Sequence, residues 1–433
     1  MTFSRIAYNI FTMERNLFVF SDGLKLVHCR LDGVYSAYLS VMTGAGSGNE
    51  SAENNGVSHC VEHMLFKGTK RRSAFAISDD IDKLGAQINA FTSKLATCYY
   101  TLSLAEHLEE CADVLADILF EPSLDEGELD KERKVIDEEI SMSEDDGADL
   151  CLDELSAAYF GEHPLARTIL GPRENVARFK SADLKEYIAR NYAADSTVVT
   201  ISGNVTFERA KQVAAKYFYS RLPKAGRAWQ DVPASPACGS RVREKSDLEQ
   251  SHIGIALPSL PYRHEKDMAL AVFNAVLGGN MSSRLFQEIR EKQGLAYSVF
   301  SSPSTYINNG YLCIYAGVNR KNAVKCTQTI ARLLEDLKKH PITASELEKG
   351  KQQIKTAYAL SGENTLGCGG LHARYALYTG ELLDTAKEIA RVESVTLDDM
   401  VWIGEELLRR EKASVSYVGR EIKRDLREVL LEK

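Results

Sequence analysis

Two histidines and a glutamate stand close together in the run Asn55-Gly56-Val57-Ser58-His59-Cys60-Val61-Glu62-His63-Met64. On a helix, His59 and His63 are one turn apart and project from the same face, so two imidazoles can hold one metal ion. Glu62 precedes the second histidine, where its carboxylate can reach a water on that ion. Cys60 lies between the histidines and points off their shared face, so it reads as a core residue.

A catalytic zinc site needs a third protein ligand and one position left for water. The acidic run Lys131 to Ile140 supplies candidates. Glu132 and Glu139 are two helical turns apart and share a face, whereas Glu138 points about 100° away and should be solvated. Spacing alone leaves open which carboxylate closes the site. The order His-x-x-Glu-His is the inverzincin signature, the reverse of the commoner zinc-protease helix.

These residues need a scaffold, and the pattern of the chain describes one. Strand-like segments cover 17–20, 24–29 and 37–42, and the turn-rich stretch 43–50 leads into the histidine helix. A helix near 76–84 precedes strands over 86–91 and 97–104. Helices near 108–119, 125–143, 150–159 and 181–192 follow, then a strand at 197–202 and a helix from Phe207. Residues 222–246 carry Pro223, Pro233, Pro236, Gly226 and Gly239 without sustained periodicity, the pattern of a linker.

Beyond it the same order recurs. A strand at 252–257 is followed by helices near 265–277 and 283–291, strands 297–302 and 310–317, and helices near 321–338 and 344–358. Val198-Val199-Thr200-Ile201-Ser202-Gly203 is echoed by Ser414-Val415-Ser416-Tyr417-Val418-Gly419, and Lys83-Leu84-Gly85-Ala86 by Lys292-Gln293-Gly294-Leu295. The expectation is an α+β chain of two homologous domains, each of about 210 residues and each a mainly antiparallel sheet packed with helices. Residues 1–222 form the metal-binding domain, 223–246 the linker and 247–433 the second copy, which lacks the metal motif.

Composition narrows the function classes. A hydrophobic content of 44% with 26% charged residues is that of a globular protein. The net charge of −8 is spread among interleaved acids and bases, which argues against a nucleic-acid partner. No run nears the roughly 20 apolar residues needed to span a bilayer, so no membrane partner is expected. Met1 to Ile10 has neither a secretory nor a transit-peptide pattern. The nine cysteines form no C-x-x-C pair and read as reduced, packed thiols, which points to the cytoplasm.

Four segments carry a specific resemblance: Asn55 to Thr69, Gly85 to Ser93, Glu132 to Ile140, and Ser282 to Ser298. Together they resemble the pitrilysin-type (M16) metallopeptidases, especially the short bacterial members related to mitochondrial processing peptidase. The resemblance spans nearly the whole chain, including the two-domain repeat. It implies a chain that forms half of a clamshell chamber and holds one Zn2+ through His59, His63 and Glu139. Glu62 would be the general base, and Glu132 would stand behind a ligating histidine. Arg290 and Tyr297 would approach from the opposite lobe to bind substrate carbonyls or the oxyanion, in trans if the working unit is a homodimer. The strand Ala86 to Ser93, with Asn89, Ala90 and Phe91, would bind an extended peptide by strand addition.

The activity implied is a zinc endopeptidase acting on unfolded peptides or presequence-like segments. Two readings stand beside it: a non-catalytic scaffold or core-type subunit of the same fold, and a subunit active only with a different partner chain. The sequence departs from the family at Leu95, where a glutamate is frequent, and in the glycine-rich stretch 362–370. Both bear on substrate preference and lobe geometry rather than on the metal ligands.

Overall fold

Ser36–Thr43 and Gly310–Val318 are buried along nearly their whole length, as central strands covered on both faces must be. They sit inside two mixed sheets in the computed structural model, which describes residues 14–225 and 233–432. The first sheet joins β1 (Arg15–Val19), β2 (Lys25–Arg30), β3 (Ser36–Thr43), β4 (Gln87–Thr92), β5 (Thr97–Leu104) and β6 (Thr197–Gly203), in the order β1-β2-β6-β3-β5-β4. The second joins β7 (Ser240–Glu244), β8 (Ser251–Pro258), β9 (Ala296–Thr305), β10 (Gly310–Val318) and β11 (Ser414–Gly419), in the order β7-β11-β8-β10-β9.

The internal repeat is therefore one topology used twice. β2-β6 and β7-β11 are the parallel pairs, and every other pairing is antiparallel. The first sheet adds β1 at one edge. The echoed Lys-x-Gly motifs end the helices that precede the two edge strands β4 and β9. Gly85 (φ +61°) and Gly294 (φ +58°) both adopt the left-handed conformation that glycine allows. The next N–H then folds back on the helix, Ala86 to Ile81 O at 3.2 Å and Leu295 to Ile289 O at 2.9 Å. The second of these helices, Phe286–Lys292, is wound as a π-helix, where the sequence predicts an α-helix over 283–291.

The expected consecutive division at 222 and 247 needs correction. The chain forms two compact units that interleave: one takes Met1–Glu139, Thr168–Gln230 and Tyr358–Ala386, and the other takes Ile140–Arg167, Asp231–Ala357 and Lys387–Lys433. Two helices cause this. The helix Gly147–Phe160 packs on β8 and β11 of the second sheet, and Thr365–Thr379 packs on β2, β3 and β6 of the first. The glycines of 362–370 find a role here, because a Cβ on Gly369 would stand 2.3 Å from the Tyr38 ring. Only glycine lets that helix approach so near.

The linker also departs from expectation. Residues 226–232 lie outside the described residues, as do Met1 to Ile10. Ser240–Glu244, expected to be irregular, pairs with β11 because that edge offers it a parallel partner. Arg241 and Arg243 pair there with the buried Glu154. Among the described residues, no helix is long and apolar enough to cross a membrane.

The histidine helix, α1 (Val57–Leu65), has an unusual start. Its N-cap is Gly56 at φ +99°, which has no side chain to cap the free N–H groups. Residue 56 must also be small, since a Cβ there would meet Leu170 O at 2.6 Å. The buried Glu50 takes over the capping. Its Oε2 accepts from Gly56 N and Asn55 Nδ2, and its Oε1 from Ser58 N, all at 2.8 Å. A carboxylate at this end also meets the positive pole of the helix. Glu50→Ala would strand three buried donors, at a cost of roughly 2–4 kcal/mol. Urea denaturation should show that loss in the unit carrying α1, and an unchanged midpoint would mean that the cap contributes nothing.

Candidate active site

α1 places the rings of His59 and His63 with centroids 4.6 Å apart. The helix Glu126–Asp145 packs so that Glu139 turns one oxygen toward both of them. Its Oε2 is 3.5 Å from His59 Nε2 and 3.3 Å from His63 Nε2. Ligands about 2.1 Å from a tetrahedral zinc ion lie about 3.4 Å from one another. Glu139 therefore already stands at zinc-like spacing from each imidazole, and the three donor atoms lie within 4.8 Å of one another.

The chemistry of the donor set fits as well. Glu132 engages His63 Nδ1, so a neutral His63 turns the lone pair of its Nε2 toward the Glu139 carboxylate, a repulsive contact that a cation between them relieves. A proton is disfavoured at His59, because burial, assisted by the neighbouring His63, brings its pKa down to about 4. A divalent ion satisfies all three groups together.

Glu132 lies one face-repeat before Glu139 and is buried at 4% exposure. Its Oε2 meets His63 Nδ1 at 3.0 Å, and its Oε1 accepts from Lys67 Nζ at 2.7 Å. This fixes the orientation of the ring and leaves Nε2 facing Glu139. The Lys67 charge balances the buried carboxylate. His59 has no such support: its Nδ1 is buried and lacks a hydrogen-bond partner among the described residues. Glu138 is exposed, and Cys60 is fully buried, with burial pushing its thiol up to about 12.

Glu62 sits beside the triad. Thr92 Oγ1 donates to its Oε2 at 2.5 Å. Burial raises the Glu62 carboxyl above its usual range, opposed by the Thr92 hydrogen bond. Thr92 ends β4, which lies at the edge of the first sheet. Along that edge Asn89 and Phe91 are exposed and Ala90 is half-buried. Ala90 N donates to Asn89 Oδ1 at 2.8 Å, so this backbone donor faces away from β5. Leu95 is buried in the turn that follows, at 7% exposure, where an apolar side chain is suited.

Arg290 and Tyr297 belong to the second unit and form a cluster of their own. The Arg290 guanidinium stands 5.0 Å from the Tyr297 ring centre and 4.8 Å from that of Phe286. Its link to Glu291 is loose, at 3.9 Å. Tyr297, on β9, is 75% exposed. The structure thus gathers His59, Glu62, His63, Glu132 and Glu139 into one group and pairs Arg290 with Tyr297 in another.

Three residues that support the first group escape a reading by motif. Glu50 caps from several residues upstream, beyond the usual capping window. Lys67 follows the end of α1, and Thr92 is joined to Glu62 only through sheet packing. The Glu-x-x-x-x-Asn-Gly spacing of Glu50, Asn55 and Gly56 was the one available hint.

Comparisons with known proteins place this geometry in context. Residues 31–173 match the family described as insulinase (peptidase family M16), and residues 178–354 match the peptidase M16 inactive domain. The uncharacterized zinc protease YmxG of Bacillus subtilis is 38% identical over 392 residues, covering 90% of this chain and 95% of the relative. The beta subunit of the mitochondrial-processing peptidase of Saccharomyces cerevisiae is 30% identical over 417 residues, covering 92% and 89%. A solved structure of a Helicobacter pylori protease shares the fold, with a TM-score of 0.86 at 23% identity over 94% of this chain and 99% of that one. Sequence kinship along nearly the full length of named zinc proteases makes the chain a member of peptidase family M16.

Proposed function

We propose that the chain is a zinc-dependent endopeptidase acting on extended, unfolded peptides or presequence-like segments. The observation that carries this reading is the convergence of donor atoms from His59, His63 and Glu139 within 4.8 Å of one another, with Glu62 alongside. When bound, zinc would acidify a water and polarise the scissile carbonyl.

The residues of the chain supply the rest. Thr92 engages Oε2 of Glu62, which orients the carboxylate and leaves Oε1 for the proton of the attacking water. Burial raises the affinity of Glu62 for that proton, which it then passes to the leaving amine. Glu132 and Lys67 hold the His63 ring in place throughout. A peptide added to the β4 edge would take the outward Ala90 N–H from Asn89, so backbone hydrogen bonds provide affinity with little dependence on side chains. The Arg290/Tyr297 pair offers a cation and a phenol for substrate carbonyls or the oxyanion. Since one chain carries both groups, a homodimer is the simplest working unit, with a cytoplasmic setting suited to its thiols.

Glu62→Gln should keep zinc, measured by elemental mass spectrometry, while peptide hydrolysis falls about 10²–10⁴-fold. Mass-spectrometric mapping of cuts in a diverse peptide library provides the readout. Equal cutting by both proteins would remove Glu62 from the mechanism, and silence from both would favour the scaffold reading. Glu132→Gln keeps a hydrogen-bonding group but loses the charge, and should weaken zinc binding about 10–100-fold. An unchanged zinc dissociation constant would show that Glu132 serves packing alone.

A further inference from the structure

Away from the zinc ligands, the first unit contains a second convergence of soft donors. Cys29 lies on β2, and Cys368 and His372 occupy successive turns of the helix Thr365–Thr379. All three are buried, at 1%, 0% and 2% exposure. One donor atom from each lies within 4.8 Å of the others. His372 Nδ1 is 3.9 Å from Cys368 Sγ and 2.9 Å from the Cys368 carbonyl oxygen.

Buried cysteines commonly act as small apolar side chains, and the other cysteines of this chain, apart from the half-buried Cys238, fit that description. The histidine does not fit it. His372 Nε2 is buried without a hydrogen-bond partner among the described residues, while its surroundings include Val27, Leu31, Val198 and Ala376. The Cys368 carbonyl accepts from Nδ1–H, and the apolar wall leaves the Nε2 lone pair unmet. Coordination through Nε2, with Nδ1–H still donating to the Cys368 carbonyl, would satisfy the ring, the usual arrangement of a ligating histidine.

We propose that Cys29, Cys368 and His372 form a second metal site, a three-coordinate site of two sulfurs and one nitrogen for a soft monovalent cation of the copper(I) type. Donor softness selects this class: two sulfurs and an imidazole prefer thiophilic ions to magnesium or calcium. Coordination number selects within it. The cluster has no fourth His, Cys, Asp or Glu among the described residues, and its burial leaves little access for water. Zinc in a structural site requires four ligands, whereas copper(I) is satisfied by three. The neighbouring Cys368 and burial push the Cys29 thiol up, and the charge of nearby Arg15 opposes that rise and would offset the net negative charge of such a complex. A bound ion would tie the helix Thr365–Thr379 to β2, joining a late segment of the chain to the first sheet.

The full-length protein, reduced, stripped of metal and kept anaerobic, would be titrated with copper(I) buffered by a competing chelator. One equivalent should bind with a thiolate-to-copper charge-transfer absorption, which the sulfur-free His59/His63/Glu139 group cannot produce. X-ray absorption should show two sulfurs and one nitrogen, and the melting temperature should rise. Cys368→Ser and, as a gentler change in a buried site, Cys368→Ala should abolish the band, while His372→Asn should weaken binding at least tenfold. No band in the unaltered protein, or a band that persists in both Cys368 variants, would overturn the site. Neither result bears on peptide cutting, so the zinc-peptidase reading is tested separately.

Discussion

Glu139 holds a single carboxylate oxygen against the Nε2 atoms of both His59 and His63, a contact that a cation between them would stabilise. Much of the first unit can be understood as maintaining it. α1 must present two histidines at a fixed height, and Glu50 sets that height by capping a helix whose own N-cap is a glycine. The helix Glu126–Asp145 must offer Glu139 at the same level, and Glu132, two turns earlier, clamps His63 from behind. Burial disfavours the second proton on His59, which suits a ring that offers a lone pair to a metal ion. The support is asymmetric: His63 is held by a charged partner, whereas His59 depends on the fixed course of α1.

The second sheet shows what the common topology provides without the metal. β9 occupies the position of β4, and each follows a helix closed by a left-handed glycine. In the first copy, the preceding stretch includes α1 and its histidines. In the second, it leads to a π-helix that brings Arg290 over Tyr297. One plan thus displays a metal group beside one edge strand and a cation–π pair at the other. The exchanged helices follow from the same economy of layers. Each sheet needs an apolar helix on its face, and Thr365–Thr379 fits the first sheet only because Gly369 accepts the Tyr38 ring.

How much could be read from the sequence depended on whether the deciding interaction was local. The α+β class and the doubled order of elements were legible, because period-2 and period-3.6 patterns and the Lys-x-Gly helix ends are short-range signals. The shared face of Glu132 and Glu139 was legible for the same reason, and the histidine spacing likewise. The interleaving of the units was not, since neither exchanged helix announces which sheet it will cover. β7 was hidden in a proline- and glycine-rich stretch, because its pairing depends on the free edge of β11. Glu50, Lys67 and Thr92 were missed because each acts across a fold that brings distant or differently structured segments together.

On the peptidase reading, the joining of Thr92 to Glu62 matters more than its modest size suggests. Thr92 is both the last residue of the edge strand and the partner of the base. A peptide that extends the sheet through backbone hydrogen bonds is thereby registered against the carboxylate by the strand it pairs with. Register in such a pairing advances in steps of two residues, because a one-residue slip turns every side chain to the opposite face. Backbone pairing alone does not choose among those steps. The choice falls to groups on the face of β4 that carries Thr92, whereas Phe91, 45% exposed, points to the opposite face.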